Sequence, residues 1–291
     1  MDDERYAALA ETRARAPEAI AAAWAARVRR PQLLGERGRI LIVAADHPAR
    51  GALAAGPRPL AMADRRELLD RLLVALGRPG VDGVLGTADI IEDLLLLGAL
   101  DGKVVLGSMN RGGLAGSAFE IDDRYTGYDA EGIARAGLDG GKLLLRIDPA
   151  DPATAGALEA AARAVDELAA RGLPAMVEPF MSERVDGRVR NRLDTESAIR
   201  SVAIASGLGR TSARTWLKLP AVDDMERVLA ATTLPVLLLG GEVGPDPEAL
   251  LRRWREALKS PAVRGLVVGR SLLYPPDDDV AAAVDAAAAV L

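Results

Sequence analysis

RILIVAADHPARG, residues 39–51, is the stretch whose reading decides the fold. Its first half is short, apolar and unalternated, as a parallel strand buried on both faces should be. A doubly wound dinucleotide-binding sheet would follow its first strand with a Gly-x-Gly-x-x-Gly turn, but AADHPARG stands there instead. Seven further runs of the same kind follow: 83–87 (GVLGT), 103–108 (KVVLGS), 142–147 (KLLLRI), 175–178 (AMVE), 215–219 (TWLKL), 235–239 (PVLLL) and 265–269 (GLVVG). Helical patterns fill the intervals, at 64–76, 90–97, 153–171, 196–207, 223–231 and 247–259, and an Ala-rich tail at 278–291 closes the chain. Eight βα units in 291 residues predict an α/β chain folded as a (β/α)8 TIM barrel. Residues 3–29 read as one or two helices broken at Pro17, so 1–38 is expected to be a helical extension of a single domain spanning 1–291.

Composition narrows the function. A chain that is 49% hydrophobic has ample core for one large barrel. Acids and bases are interspersed around a net charge of −5, which offers no footprint for nucleic acid or a membrane surface. Aromatics at 3% argue against stacking platforms for single strands. Without cysteine there is no disulfide and no thiol nucleophile. With His47 as the sole histidine, zinc sites built on several His or Cys ligands are excluded, and neither metal nor cofactor is expected. No apolar run has the length of a membrane span, and the opening MDDERYAALAETRARAPEA lacks the apolar core of a signal peptide, so a cytoplasmic protein is expected.

Barrels of this kind do their chemistry at the C-terminal ends of the strands. Lys218, inside TWLKLP, is the foremost candidate. A lysine in a buried strand is costly, desolvation lowers its pKa, and a neutral amine attacks carbonyls to form a Schiff base. An isolated LKLP would read as a strand-end lysine with its head in water; the other strand ends reverse that reading. Glu178 closes the fifth run, as a proton-transfer carboxylate or the partner of a cation. Asp46 ends the first and faces the site. His47 beside it reads as a structural or substrate-positioning residue, with a proton shuttle as the alternative. Lys142 opens the fourth run, where a lysine either projects into the barrel or snorkels at its solvated bottom.

Gly240 and Gly241 end the seventh run, and Gly269 and Arg270 the eighth. Barrels commonly bind phosphate at that pair of strands, where glycine lets the backbone approach an anion and arginine adds a charged contact; tight turns are the plain alternative. The loop 108–128 reads as a lid or substrate-contact loop carrying Asn110, Arg111, Asp123 and Arg124. Arg146 ends the fourth strand. The second long loop, 180–194, has four arginines against three acids and reads as solvated.

Taken in order, AADHPARG (44–51), KLLLRIDPAD (142–151), LPAMVEPF (173–180), TWLKLP (215–220), LLLGGEV (237–243) and GLVVGRSLLY (265–274) resemble the class I, Schiff-base aldolases on a TIM barrel. That group holds the tagatose-bisphosphate, class I fructose-bisphosphate and deoxyribose-phosphate aldolases, and the chain looks most similar to a bacterial branch associated with inositol breakdown. The resemblance implies Lys218 as the Schiff-base lysine, Glu178 as a proton-transfer residue, and Asp46 and Lys142 as their partners. It implies Gly240, Gly241, Gly269 and Arg270 at a phosphate, with Asn110 and Arg146 on the substrate. The implied partner is a phosphorylated keto sugar, and the implied assembly a homo-oligomer, although no stretch marks an interface. The seventh run ends Gly-Gly-Glu where relatives often offer serine, and Arg146 stands where the tagatose enzymes commonly have tyrosine. Both departures bear on the substrate more than on the lysine. A sugar-phosphate-binding barrel without lyase chemistry, and a phosphosugar isomerase or epimerase, are the alternatives.

Overall fold

The computed structural model describes residues 2–244 and 246–291. Nine strands form: β1 (Ile40–Ala44), β2 (Gly83–Gly86), β3 (Val104–Ser108), β4 (Gly140–Ile147), β5 (Ala175–Val185), β6 (Arg188–Asn191), β7 (Thr215–Pro220), β8 (Val236–Leu239) and β9 (Val263–Val268). All but β6 pair in parallel, in the order β1-β2-β3-β4-β5-β7-β8-β9, and β9 returns to β1. The sheet is therefore closed, and the expected (β/α)8 barrel is what the chain forms. Closure brings backbones close at Gly265, whose φ of 134° suits glycine and where a Cβ would fall 1.9 Å from Ile40 O.

Helices surround the barrel: α1 (Asp3–Arg15), α2 (Glu18–Ala26), α3 (Arg65–Gly77), α4 (Ala88–Leu96), α5 (Ala130–Arg135), α6 (Ala153–Ala170), α7 (Thr195–Ser206), α8 (Met225–Leu229), α9 (Pro247–Ala257), α10 (Arg270–Leu273) and α11 (Val280–Ala288). No described helix is long and apolar enough to cross a membrane. Aspartates cap many of them: Asp64, Asp129, Asp194 and Asp279 each accept a backbone N–H of the first turn. The sequence reading lacked α5 and α10, of six and four residues, because so few residues show no periodicity.

Strand parity divides the apolar residues. Leu41, Val43, Leu143, Leu145, Val177, Leu217 and Leu219 pack outward against the helices. Ile40, Ile42, Ala44, Leu85, Val104, Leu106, Met176, Leu237 and Val267 fill the barrel axis. Continuing that inward parity toward the strand ends gives Asp46, Ser108, Lys142, Arg146, Glu178 and Lys218. The apolar plug thus gives way to a charged layer at the top.

The bottom is sealed by the N-terminal extension. Arg27 Nη2 donates to Lys103 O (2.8 Å) and Asp139 Oδ2 (3.0 Å), and Nη1 to Gly137 O (3.1 Å). Asp139 also accepts from Val105 N, and Asp82 from Leu41 N, each at 2.8 Å, while Arg30 and Arg37 pair with Asp82.

One expectation is corrected here. Residues 180–194 are not a solvated loop: β5 runs on to Val185 and returns as the antiparallel β6. Asp186 and Gly187 make the turn, both with positive φ (49° and 76°), as a two-residue hairpin turn requires. Pro179 does not end the strand, because it lies past the last β5–β7 pair, where that edge needs no donor.

Candidate active site

The top of the barrel opens into a cavity of about 1050 Å³, whose lining includes Asp46, His47, Lys142, Arg146, Glu178, Lys218, Gly240, Gly241, Gly269 and Arg270. Nine of the ten residues that the family resemblance implies for the site therefore meet there, with His47 beside them. Asn110 does not line the cavity; its side-chain amide donates to Leu144 O and accepts from Leu144 N (2.8 Å), extending the β3–β4 pairing.

Four side chains form a continuous ionic chain at the cavity floor. Lys218 Nζ lies 2.9 Å from Glu178 Oε1, and Lys142 Nζ lies 2.5 Å from Glu178 Oε2 and 3.1 Å from Asp46 Oδ2. Register explains the order. Val177 pairs with Leu217, so Glu178 and Lys218 follow side by side, whereas Lys142 pairs with Met176, one layer deeper. Its long stem rises from that layer to place the ammonium between the two carboxylates. Lys142 is 2% exposed and Lys218 3%, so Lys142 belongs to the barrel interior and not to its solvated bottom.

Asp46 is further held by Ser108 Oγ, which donates to Oδ2 at 3.0 Å, and by Arg111 Nη2, 3.0 Å from the same oxygen. Both cations, Lys142 and Arg111, and the hydroxyl converge on Oδ2, while Oδ1 has the His47 imidazole 3.8 Å away.

Burial alone would raise both carboxyls. Arg111 and Lys142 outweigh it at Asp46, and Lys142 and Lys218 at Glu178, so both are held well below the usual carboxylate range. Burial, reinforced by Arg111, pulls Lys142 down to about 8 against the attraction of Asp46 and Glu178. Two carboxylates face three cations (Lys142, Lys218 and Arg111), an excess of one positive charge that suits an anionic ligand.

The rim is built by two other elements. At the β8 and β9 ends, Gly240 has no room for a side chain: a Cβ would lie 2.5 Å from Ser271 Oγ. A Cβ on Gly269 would lie 2.6 Å from Ala44 O and 3.0 Å from His47 Cε1. Arg270 Nε and Ser271 Oγ are buried there without a hydrogen-bond partner. Opposite, Arg146 pairs with Glu120 (3.0 Å), and the hairpin brings Val189, Arg190 and Asn191 to the mouth. Arg190 is exposed and has no ion-pair partner among the described residues.

The loop after β3 is pinned by Arg50, which donates to Gly113 O (2.6 Å) and Asn110 O (3.0 Å) and pairs with buried Asp123. Arg124 points to solvent and bonds its neighbour Asp122. Arg50, Glu120 and Ser271 escaped the sequence reading. Arg50 and Ser271 lie within motifs that were recognised, AADHPARG and GLVVGRSLLY, while nothing local marks Glu120. The described residues hold no cluster of three or more potential metal ligands.

Comparison with known proteins places the chain. No curated protein matches it. The solved structure of Cgl0159 from Corynebacterium glutamicum is 57% identical over 100% of this chain and 97% of that one, with a TM-score of 0.97. A Schiff-base-forming fructose-1,6-bisphosphate aldolase is 21% identical (89% of this chain, 96% of that, TM-score 0.64). An archaeal fructose 1,6-bisphosphate aldolase is also 21% identical (89% and 95%, TM-score 0.66). At that identity the likeness to the aldolases is one of fold. A family profile matches residues 38–288, and the chain belongs to the Cgl0159-like family.

Proposed function

We propose that this protein is a class I aldolase, a carbon–carbon lyase that holds a phosphorylated keto sugar as a Schiff base on Lys218. The observation that carries the reading is the buried pair of Lys218 and Glu178, 2.9 Å apart, at the floor of a net cationic cavity. Glu178 can take a proton from the lysine and return it to the departing hydroxyl of the carbinolamine. The amine attacks the ketone carbon, water leaves, and an iminium remains. A base then takes the proton of the hydroxyl on the far carbon of the bond to be broken; Glu178 fills that role. The C–C electron pair flows into the iminium to give an enamine, the aldehyde departs, and protonation and hydrolysis release the ketone product. Lys142 keeps Glu178 and Asp46 ionised and in place, and Asp46 Oδ1 is free to accept from a substrate hydroxyl.

The lysine with one carboxylate partner is better placed to attack than the one clamped between two. Lys142, pulled down to about 8, is the second reading. The substrate we favour is 6-phospho-5-dehydro-2-deoxygluconate, split to dihydroxyacetone phosphate and malonic semialdehyde. It agrees with the likeness to the inositol-breakdown branch and with a cavity that has cations at both ends. Its phosphate would lie at Gly240, Gly241, Gly269 and Arg270, and its carboxylate toward Arg146 and Arg190. Borohydride reduction in the presence of dihydroxyacetone phosphate should add the mass of the reduced adduct to the peptide carrying Lys218. An adduct on Lys142 would reassign the nucleophile, and no adduct on either would remove the lyase reading.

A further inference from the structure

His47 lines the cavity but has no part in the scheme above. Its ring lies against Gly269, where a Cβ would stand 3.0 Å from His47 Cε1, so glycine at that position makes room for an imidazole. Nδ1 is buried, makes no hydrogen bond, and faces Asp46 Oδ1 at 3.8 Å. The side chain as a whole is 23% exposed, so the edge that meets the cavity is the Nε2 side. That edge adjoins Gly269 and Arg270, the end at which the proposed function seats phosphate.

We propose that His47 is a phosphate ligand that takes up one proton as phosphate binds, so that an imidazolium bridges Asp46 and the phosphate. The inference rests on the phosphate end of the proposed function and not on its lysine chemistry. In the empty site the ring is neutral: burial, aided by the charges of Arg270, Lys218 and Lys142, pushes it down to about 3 despite Asp46. These are the charged groups that face it, Asp46 from the end of β1, Lys142 from within β4, Lys218 from β7 and Arg270 from α10; Glu242, beyond β8, acts on Arg270. A phosphate dianion beside Arg270 reverses the balance. It offsets the cations that oppose protonation and sets a second anion on the Nε2 side, opposite Asp46. The proton comes from solvent; Nε2–H then donates to a phosphate oxygen and Nδ1–H faces Asp46 Oδ1.

A single histidine makes the test direct, because imidazole ¹⁵N signals have one source. At pH 8, where inorganic phosphate is mostly dianionic, the free protein should show neutral-imidazole shifts, and saturating inorganic phosphate should move both nitrogens to imidazolium values. Calorimetry in buffers of different ionisation enthalpy should show uptake approaching one proton per site. By the same linkage, affinity for the phosphate dianion should fall close to tenfold per pH unit as long as pH lies below the pKa that His47 has in the complex, and level off above it. His47→Asn should abolish the uptake and weaken phosphate binding about tenfold. Phosphate bound with a neutral ring or without proton uptake overturns the proposal, and so does a failure of phosphate to bind. The wild-type spectra decide even where the variant does not fold. Trapping of unphosphorylated dihydroxyacetone on Lys218 tests the lyase reading separately, so either can fail alone.

Discussion

At Lys218 the proposed chemistry and the packing make opposite demands on substitution. Lys218→Arg retains a cation beside Glu178, but a guanidinium stays protonated and cannot form an iminium. The variant should fold, bind a phosphorylated ligand and lose cleavage by roughly 10⁴-fold or more, the scale on which removing a covalent nucleophile acts. Turnover near the wild-type rate would exclude Lys218 as nucleophile. Lys142→Met removes a cation from between two carboxylates and should leave measurable activity. Lys142 also sets a pH limb. Its pKa in the folded protein is about 8, so the ammonium that holds Asp46 and Glu178 is present below that value and lost as pH rises through it. Cleavage should therefore decline above about pH 8 in the wild type, and Lys142→Met should lack that limb in a kcat–pH profile. Lys218 was legible because a single charge interrupts an apolar run. Lys142 was ambiguous, since a strand-initial lysine reads equally as a snorkelling one. The inward parity it shares with Arg146 and with the floor of the barrel emerges only once the register is known.

At the scale of elements, the ends of β1 and β9 meet through Gly269. An added Cβ would press on Ala44 O at 2.6 Å and on the His47 ring. Gly269→Ala should cost about 1–3 kcal/mol, as overpacking does in well-filled sites. It should also raise KM for a phosphorylated substrate, read beside the melting temperature; an unchanged Tm and KM would show that the backbone yields there without consequence. The hairpin is a further element that the sequence reading missed, although its signal was present. Asp-Gly between SERV and RVRN is a type I′ turn signature, and the flanking charges concealed it because the returning strand β6 is largely exposed. Asn110 was ambiguous for a different reason. A polar residue just past a strand can face a ligand or finish a ladder, and only the positions of Leu144 N and O show that it does the latter.

For the whole molecule, eight buried strands and the absence of a dinucleotide turn were enough to specify closure, because parallel strands covered on both faces admit few arrangements. The direction of the barrel then put the charged strand ends at one rim. How the other rim is closed could not be read from residues 1–38, whose arginines look like solvated helix-face charges. Arg27 shows the difference. Its side chain is 1% exposed and ties α2 to the entries of β3 and β4 through Leu100 O, Lys103 O, Gly137 O and Asp139. Arg27→Ala leaves Asp139, among the described residues, with the more exposed Arg29 as its remaining cation and leaves the three carbonyls without this donor. Breaking a buried pair of this kind costs about 3–5 kcal/mol, which for a chain of this length corresponds to a fall in Tm of roughly 6–20 °C. The apolar axis of the barrel separates this seal from the cavity, so kcat below the transition should stay within about twofold of the wild type. A Tm shift of a degree or less would show the extension to be a passive cover. A large loss of kcat at a temperature where the variant is fully folded would mean that the bottom of the barrel is coupled to Lys218 and Glu178 through the strands.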